Sequence, residues 1–346
     1  MQHTASLKKA VYQSLAIATM AVSASAVMAA EPSHLEHPHS AGTFMFEYKY
    51  MRMSMDGLRD GTDDVSSAEA RDMMGDYGHM MVPTDMTMNM HMFMPMYNIT
   101  KDLSVMLMAN YISNEMEMEG MMGDMDMESS GIGDTEVSMS YKFADDSMAF
   151  SFGLSIPTGS IDEDDTMDML MANGMVMKDM PMNLPYAMQL GSGTYDVEPS
   201  LTYLGAYYDL RYGAQVSYKY RIDENDNGYT LGDEATAMAW IRKPVAGVNL
   251  SAELEVVRWG DIEGEDPDVM KTMFMDMNGM IMPMKASPTN FTSNYGGKRA
   301  ELTVGAAMPV GMATVGLEVG YPVYQDLNGL QMKRAMSFAL SAAAMF

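Results

Sequence analysis

Gln331–Phe346 reads QMKRAMSFALSAAAMF. Counted back from Phe346 in steps of two, Ala344, Ala342, Leu340, Phe338, Met336 and Arg334 share one face, and all but Arg334 are apolar. The intervening Lys333, Ala335, Ser337, Ala339, Ser341, Ala343 and Met345 are mostly small or polar. Successive side chains on a strand point to opposite faces, so this is a strand with one greasy side and one wet side. It is stable where hydrocarbon lies against one face and water against the other. In lipid its edges must also be paired, which requires a closed sheet.

The same alternation recurs upstream at 43–55, 84–96, 102–112, 133–143, 147–157, 195–208, 210–221, 232–243, 246–258, 297–308 and 311–321. With 332–346 that makes twelve segments. Val248, Leu250, Ala252, Leu254 and Val256 oppose Asn249, Ser251, Glu253 and Glu255. Links after odd segments are long and links after even segments are short turns. Short turns at one mouth and long loops at the other are expected of a transmembrane antiparallel up-and-down β-barrel, and an even count puts both termini on the periplasmic side. The expected fold is all-β, a barrel of about 12 strands over 43–346.

The N-terminus fits export. Lys8 and Lys9 precede an Ala-rich apolar run ending near Met28, so 1–30 is expected to be a cleaved signal peptide and 31–42 a periplasmic tail. Of 346 residues none is cysteine, which excludes disulfides and thiol chemistry. Without 1–30 the chain keeps 19 basic residues against 47 acidic ones, net −28. That charge argues against nucleic acid. The expected surroundings are outer-membrane lipid and a small-molecule or metal-ion solute; oligomeric state is open.

Three turn signatures, Gly131-Ile132-Gly133-Asp134, Gly153–Gly159 (GLSIPTG) and Tyr321–Gly329 (YPVYQDLNG), together with the terminal Phe346, resemble a family of outer-membrane transporters catalogued with the meta-cleavage pathway of phenol degradation. The resemblance spans roughly 43–346 and implies a barrel that moves small molecules, aromatic ones among them. This chain is a methionine-rich departure from that pattern.

Methionine is the anomaly, with 48 copies. Met116, Met118, Met121, Met122, Met125 and Met127 crowd one long connection, and similar runs fill 167–182 and 270–284. Thioethers are soft ligands that select Cu(I) and Ag(I), so acidic, Met-rich loops could collect such an ion. Alternatively Met is a flexible apolar filler used throughout the chain. His79 beside Met80 and Met81, and His34, His37 and His39 in the tail, are further candidate ligands.

On the strands, outward Phe44, Phe46, Tyr48 and Tyr50 turn Glu47, Met51 and Met53 inward, and Met106 and Met108 follow on the third strand. On the second, Met86, Met88, Met90, Met92, Met94 and Met96 are expected to face lipid with His91 in the lumen. The reverse would build a thioether wall inside the pore. Inward Glu47, Glu136, Glu198, Glu253, Glu255 and Glu301 would favour cations. Trp259 is expected in an interfacial aromatic girdle.

Asp223, Asn225, Asn227 and Glu234, with Gly228, match a calcium-loop pattern, although Asn227-Gly228 is also a hairpin signal. The run Asp162–Asp165 is a solvated acidic loop. No serine–histidine or paired-carboxylate signature stands out, so an enzyme is not expected. No cofactor is required on this reading. The leading function is a passive, cation-favouring channel for small solutes that handles Cu(I) or Ag(I). The alternatives are an uptake channel for small aromatic or apolar compounds, which predicts an apolar lumen patch or a lateral gap, and a structural surface barrel.

Overall fold

The computed structural model describes Leu35 and residues 40–346 apart from Met122. The expected leader over 1–30, the imidazoles of His34, His37 and His39, and Met122 lie outside the described residues. In chain order the elements are β1 (Phe44–Gly61), β2 (Asp63–Val65), helix α1 (Ser67–Arg71), β3 (Met81–Asn98), β4 (Leu103–Gly120), β5 (Met125–Ile132), β6 (Thr135–Phe143) and β7 (Met148–Ile156). Then come β8 (Asp164–Leu170), β9 (Val176–Asn183), β10 (Tyr195–Tyr207), β11 (Leu210–Ile222), β12 (Tyr229–Thr230), β13 (Glu234–Val245) and β14 (Val248–Trp259). The chain ends with β15 (Glu263–Gly264), β16 (Thr272–Met277), β17 (Met280–Lys285), β18 (Gly297–Val310) and β19 (Ala313–Met345).

The sheet runs β1, β3, β4, β6, β7, β10, β11, β13, β14, β18, β19, antiparallel at every step, and closes where β19 pairs with β1. The seam uses both chain ends. The Phe44 N–H donates to the Phe346 carbonyl at 3.1 Å, and the Phe346 N–H returns to the Phe44 carbonyl at 2.7 Å. Closure removes the free edges that lipid cannot satisfy.

β19 counts as two staves. A straight strand of its 33 residues would be ~110 Å long at ~3.3 Å per residue, several times a bilayer. Its first half pairs with β18 and its second with β1. Gly316 stands against Ser341 and Gly320 against Ser337, so the halves lie side by side and the chain reverses near Gly329, whose φ is +67°. The wall therefore has twelve staves. Tight turns such as Ala246-Gly247, both left-handed at φ 52° and 87°, share the mouth with the chain ends, and the long connections share the other.

Wall height is uneven. β1, β3 and β4 are each 18 residues long, whereas β6 and β7 have 9. Crossing hydrocarbon takes roughly 9–11 residues, so the first group stands well above the membrane. Segments expected to be loops are therefore sheet: β4 carries Met116 and Met118, and β5 pairs them with Met127 and Met125. The Met runs at 167–182 and 270–284 fold into the hairpins β8–β9 and β16–β17.

Two more expectations are corrected. Trp259 is buried inside, 5.8 Å beneath the Arg299 guanidinium, and belongs to no interfacial girdle. Arg334 leaves the outer face of the last strand because the register slips between Ser54/Met336 and Met55/Arg334, which turns it inward. Outside, Phe93, Tyr97, Leu107, Phe150, Phe152, Val216, Leu254, Val256, Leu302 and Leu340 form the exposed apolar belt a bilayer requires.

Candidate functional site

Cross-strand partners point to the same side of a sheet, so pairing fixes what the lumen is made of. The inner rows across β1, β3 and β4 are Met45–Met96–Met106, Lys49–Met92–Asn110, Met51–Met90–Ile112, Met53–Met88–Asn114 and Met55–Met86–Met116. Met86, Met88, Met90, Met92 and Met96 are all at most 3% exposed. The six methionines of the second strand thus face inward, against the expectation that they face lipid. His91 is on the outside, where its Nδ1 lies 2.8 Å from the Tyr48 hydroxyl. The inward Met51, Met53, Met106 and Met108 belong to the same wall.

The opposite wall is ionic. Lys219 meets Glu198 at 3.2 Å and Arg221 pairs with Asp196. Arg299 reaches Glu255 at 3.6 Å and Glu301 at 3.4 Å, and Arg334 reaches Glu301 at 3.2 Å. Ser337 completes that cluster by donating its hydroxyl to Glu301 at 2.8 Å. Nearer the periplasm, Lys49 pairs with Glu318 at 2.9 Å. Glu136, Glu234, Glu253 and Glu255 face inward with them. The expected carboxylate lining is present, and buried bases accompany and pair with it. Buried charges are tolerated only when matched this way.

The outer mouth is capped. β8–β9, β16–β17 and the segments around 184–194 and 286–296 pack against the tall side of the wall. Met80, Met81, Met86, Met116, Met118, Met127, Met182, Met188 and Met284 make up all but Leu184 of one buried cluster, with Met55, Met121, Met125 and Met332 among those at its margin. The expectation of thioethers displayed on loops is overturned, because these sulfurs fill a core. Behind them Tyr186, Tyr229 and Tyr295 stack edge to face, and burial raises all three phenols and keeps them neutral.

Asp134 ties the cap to the wall. Its carboxylate accepts from the Gly159 N–H at 3.0 Å and from the N–H and hydroxyl of Ser192, both at 2.8 Å. Two of the three turn signatures therefore meet in one latch. β5 pairs with β4 alone among the described residues, because β7 ends at Ile156 below it.

Two cavities follow the boundary between the two walls, and a third opens at one mouth. The upper one, about 110 Å³, lies between Met53, Met55, Met86, Met116 and Met332 and the rings of Tyr186, Tyr295 and Trp259, with Arg299 and Arg334 at its edge. A smaller one of about 60 Å³ sits among Met88, Met90, Met108, Leu190, Glu136 and Lys219. The third, about 690 Å³, opens at the end with the tight turns and is lined by Glu47, Glu318 and Arg242.

The calcium pattern is used otherwise. The Asn225 side-chain oxygen accepts from the N–H groups of Asn227 and Tyr229, and its amide donates to the Ser192 carbonyl. Asn227 spans Ile161, Asp162 and Asp266. Glu234 points into the lumen beside Lys219, away from Asp223. His79 is 3% exposed, and its Nδ1 has no hydrogen-bond partner. Burial holds its pKa down at about 4, so the imidazole is neutral.

An outer-membrane channel from Pseudomonas putida F1 superposes on 89% of this chain and 97% of its own, with a TM-score of 0.56 at 13% identity. The fold is that of an outer-membrane channel. The monoaromatic hydrocarbon channel CymD (TM-score 0.46, 8% identity, 91% and 92% covered) and the P. putida toluene transporter TodX (0.44, 8%, 89% and 91%) overlay more loosely. No family profile matches the chain, and no curated sequence does. The resemblance to the phenol-pathway transporters thus rests on turn signatures, and two of the three build the latch here.

Proposed function

We propose that this barrel is an outer-membrane uptake channel for small apolar molecules, single-ring aromatics among them. The observation that carries the proposal is the upper cavity, walled by thioethers on one side and by Tyr186, Tyr295 and Trp259 on the other. Its 110 Å³ is the scale of one aromatic ring, since an apolar cavity of ~150 Å³ takes up benzene. Below it Met88, Met90 and Met108 continue the apolar surface toward the wide mouth. Met is suited to such a path because its unbranched, polarizable chain reshapes around different guests.

A passive channel set for cations is less well supported. Its carboxylates share the lumen with Lys49, Lys219, Arg221, Arg299 and Arg334. A purely structural barrel would have no need of a path of cavities along one seam.

The test is entry of radiolabelled toluene into cells whose only apolar-solute channel is this one. Met53→Gln with Met86→Gln keeps the volume but hydrates the cavity. Uptake should fall on the order of tenfold, the effect of ~1.4 kcal/mol. Toluene entering at the wild-type rate through that variant would sink the proposal.

A further inference from the structure

The methionines are not spread through the interior. The buried members of the neighbouring clusters are Tyr186, Tyr229, Leu231, Ile262, Val269 and Tyr295 in one, Val257, Trp259 and Leu327 in a second, and Leu58, Ala70, Val82 and Leu330 in a third. None of these is a methionine. A lineage that used Met as a general filler would have put it there too. Among the described residues buried sulfur is instead concentrated on the β1/β3/β4 wall and in the cap above it, Met238 of β13 being the exception. Thioethers stand opposite one another in register at Met116/Met127, Met118/Met125, Met273/Met284 and Met275/Met282.

One polar group in the cap has no structural explanation. His79 is buried beside the ring of Phe291, 5.7 Å away, and its neighbours Met80 and Met81 both belong to the thioether cluster. The backbone here bridges to Lys285, the residue after Met284, and the Met80 N–H donates to the Lys285 carbonyl at 2.8 Å. Nδ1 of this ring, 3% exposed, meets no hydrogen-bond partner. That leaves Nδ1 unsatisfied in a dry site. A buried polar atom without a partner destabilises the fold, so its retention needs a reason.

We propose that the cap holds a site for a soft monovalent cation, Cu(I) or Ag(I), formed by His79 Nδ1 with thioethers of Met80, Met81 and Met284. All four ligands are neutral, which suits a low-charge ion taken out of water, and thioether with imidazole is a soft donor set that hard divalent ions avoid. The approach is charged correctly as well. On the outer face of the same strands, exposed Asp56, Asp85, Glu117 and Asp126 stand in one cross-strand row, with Glu115 opposite Glu128 beside it. Like charges opposed in this way repel one another, and cations gather there. The site stands apart from the solute path, since His79, Met80, Met81 and Met284 do not line the cavity between Met53 and Tyr295.

The test is a competition for Cu(I), held reduced by ascorbate, between the full detergent-folded barrel and a coloured Cu(I) chelator. The wild-type barrel should withdraw one ion from the chelator. Met80→Leu with Met81→Leu and Met284→Leu keeps volume and apolarity and should weaken binding at least tenfold, while leaving toluene uptake unchanged. His79→Phe, which keeps a ring against Phe291, should weaken it similarly. X-ray absorption on the Cu(I)-loaded wild type, which needs no variant, should show both nitrogen and sulfur scatterers. Cu(I) left with the chelator, a leucine variant as tight as wild type, or a spectrum without nitrogen would each overturn the proposal.

Discussion

The two sides of this lumen obey one alternation rule and enclose opposite chemistries. Across β1, β3 and β4 every inner row from Met45 to Met55 carries methionine; across β10, β11, β14, β18 and β19 carboxylates pair with guanidinium or ammonium groups. The ionic side needs matched partners to exist, so its geometry is over-determined. The thioether side needs only volume, so it can yield to a guest. A solute path is expected at the seam, where a yielding surface meets a fixed one, and the cavities lie there.

Exchanging the chemistries should do the most damage. Met90→Asp places a carboxylate against Met51 and Ile112 with no base in its rows. An unpaired buried charge costs several kcal/mol, so refolding from urea into detergent should give little barrel with the heat-dependent electrophoretic shift. Glu301→Gln is the reciprocal injury. It leaves Arg299 and Arg334 facing each other with one fewer counter-charge and should cost about 3 kcal/mol, read as a lower urea midpoint. If it proved harmless, the ionic wall would be solvated rather than interlocked.

This contrast explains what the sequence could and could not reveal. Strand number, the long–short rhythm and closure on Phe346 were legible because they depend on the two-residue period alone. The facing of β3 was not, because an alternation of apolar and polar residues says nothing of which face is lipid when the lumen is itself apolar. The available clue was Phe93 and Tyr97 on the non-methionine face, since they pair with Tyr48 and Phe44 of β1. Arg334 and Trp259 were misplaced for different reasons, a register slip and a strand top already folded into the cap. The ion pairs of Arg299 and Lys219 were not legible because partners far apart in sequence become visible only in the fold.

A smaller effect is expected at the latch. Asp134→Asn keeps the shape of a side chain that accepts three hydrogen bonds, two of them from Ser192, but it loses the charge and one acceptor. A loss of about 1.5–3 kcal/mol falls on the cap and not on the staves, because Asp134 lies at the junction of β5 and β6 and its carboxylate bonds only to Gly159 and Ser192. Planar-bilayer recordings should show more frequent open events with an unchanged urea midpoint. A lowered midpoint with unchanged gating would mean that the latch braces the wall instead.

The least disruptive change is the most informative about sulfur. Replacing Met88, Met90 and Met92 by Leu conserves volume and apolarity, and each exchange should cost under about 1.5 kcal/mol. Leucine is branched and lacks the polarizable sulfur, so the wall stays greasy but loses compliance. If the wall serves solutes by yielding, the triple variant should keep its stability and pass toluene while discriminating more sharply against a bulkier ring such as naphthalene. If both rings pass as before, compliance is not what these methionines provide. The concentration of sulfur along this side would then have to be explained from the cap downward, by the cation site proposed at His79 and its neighbours.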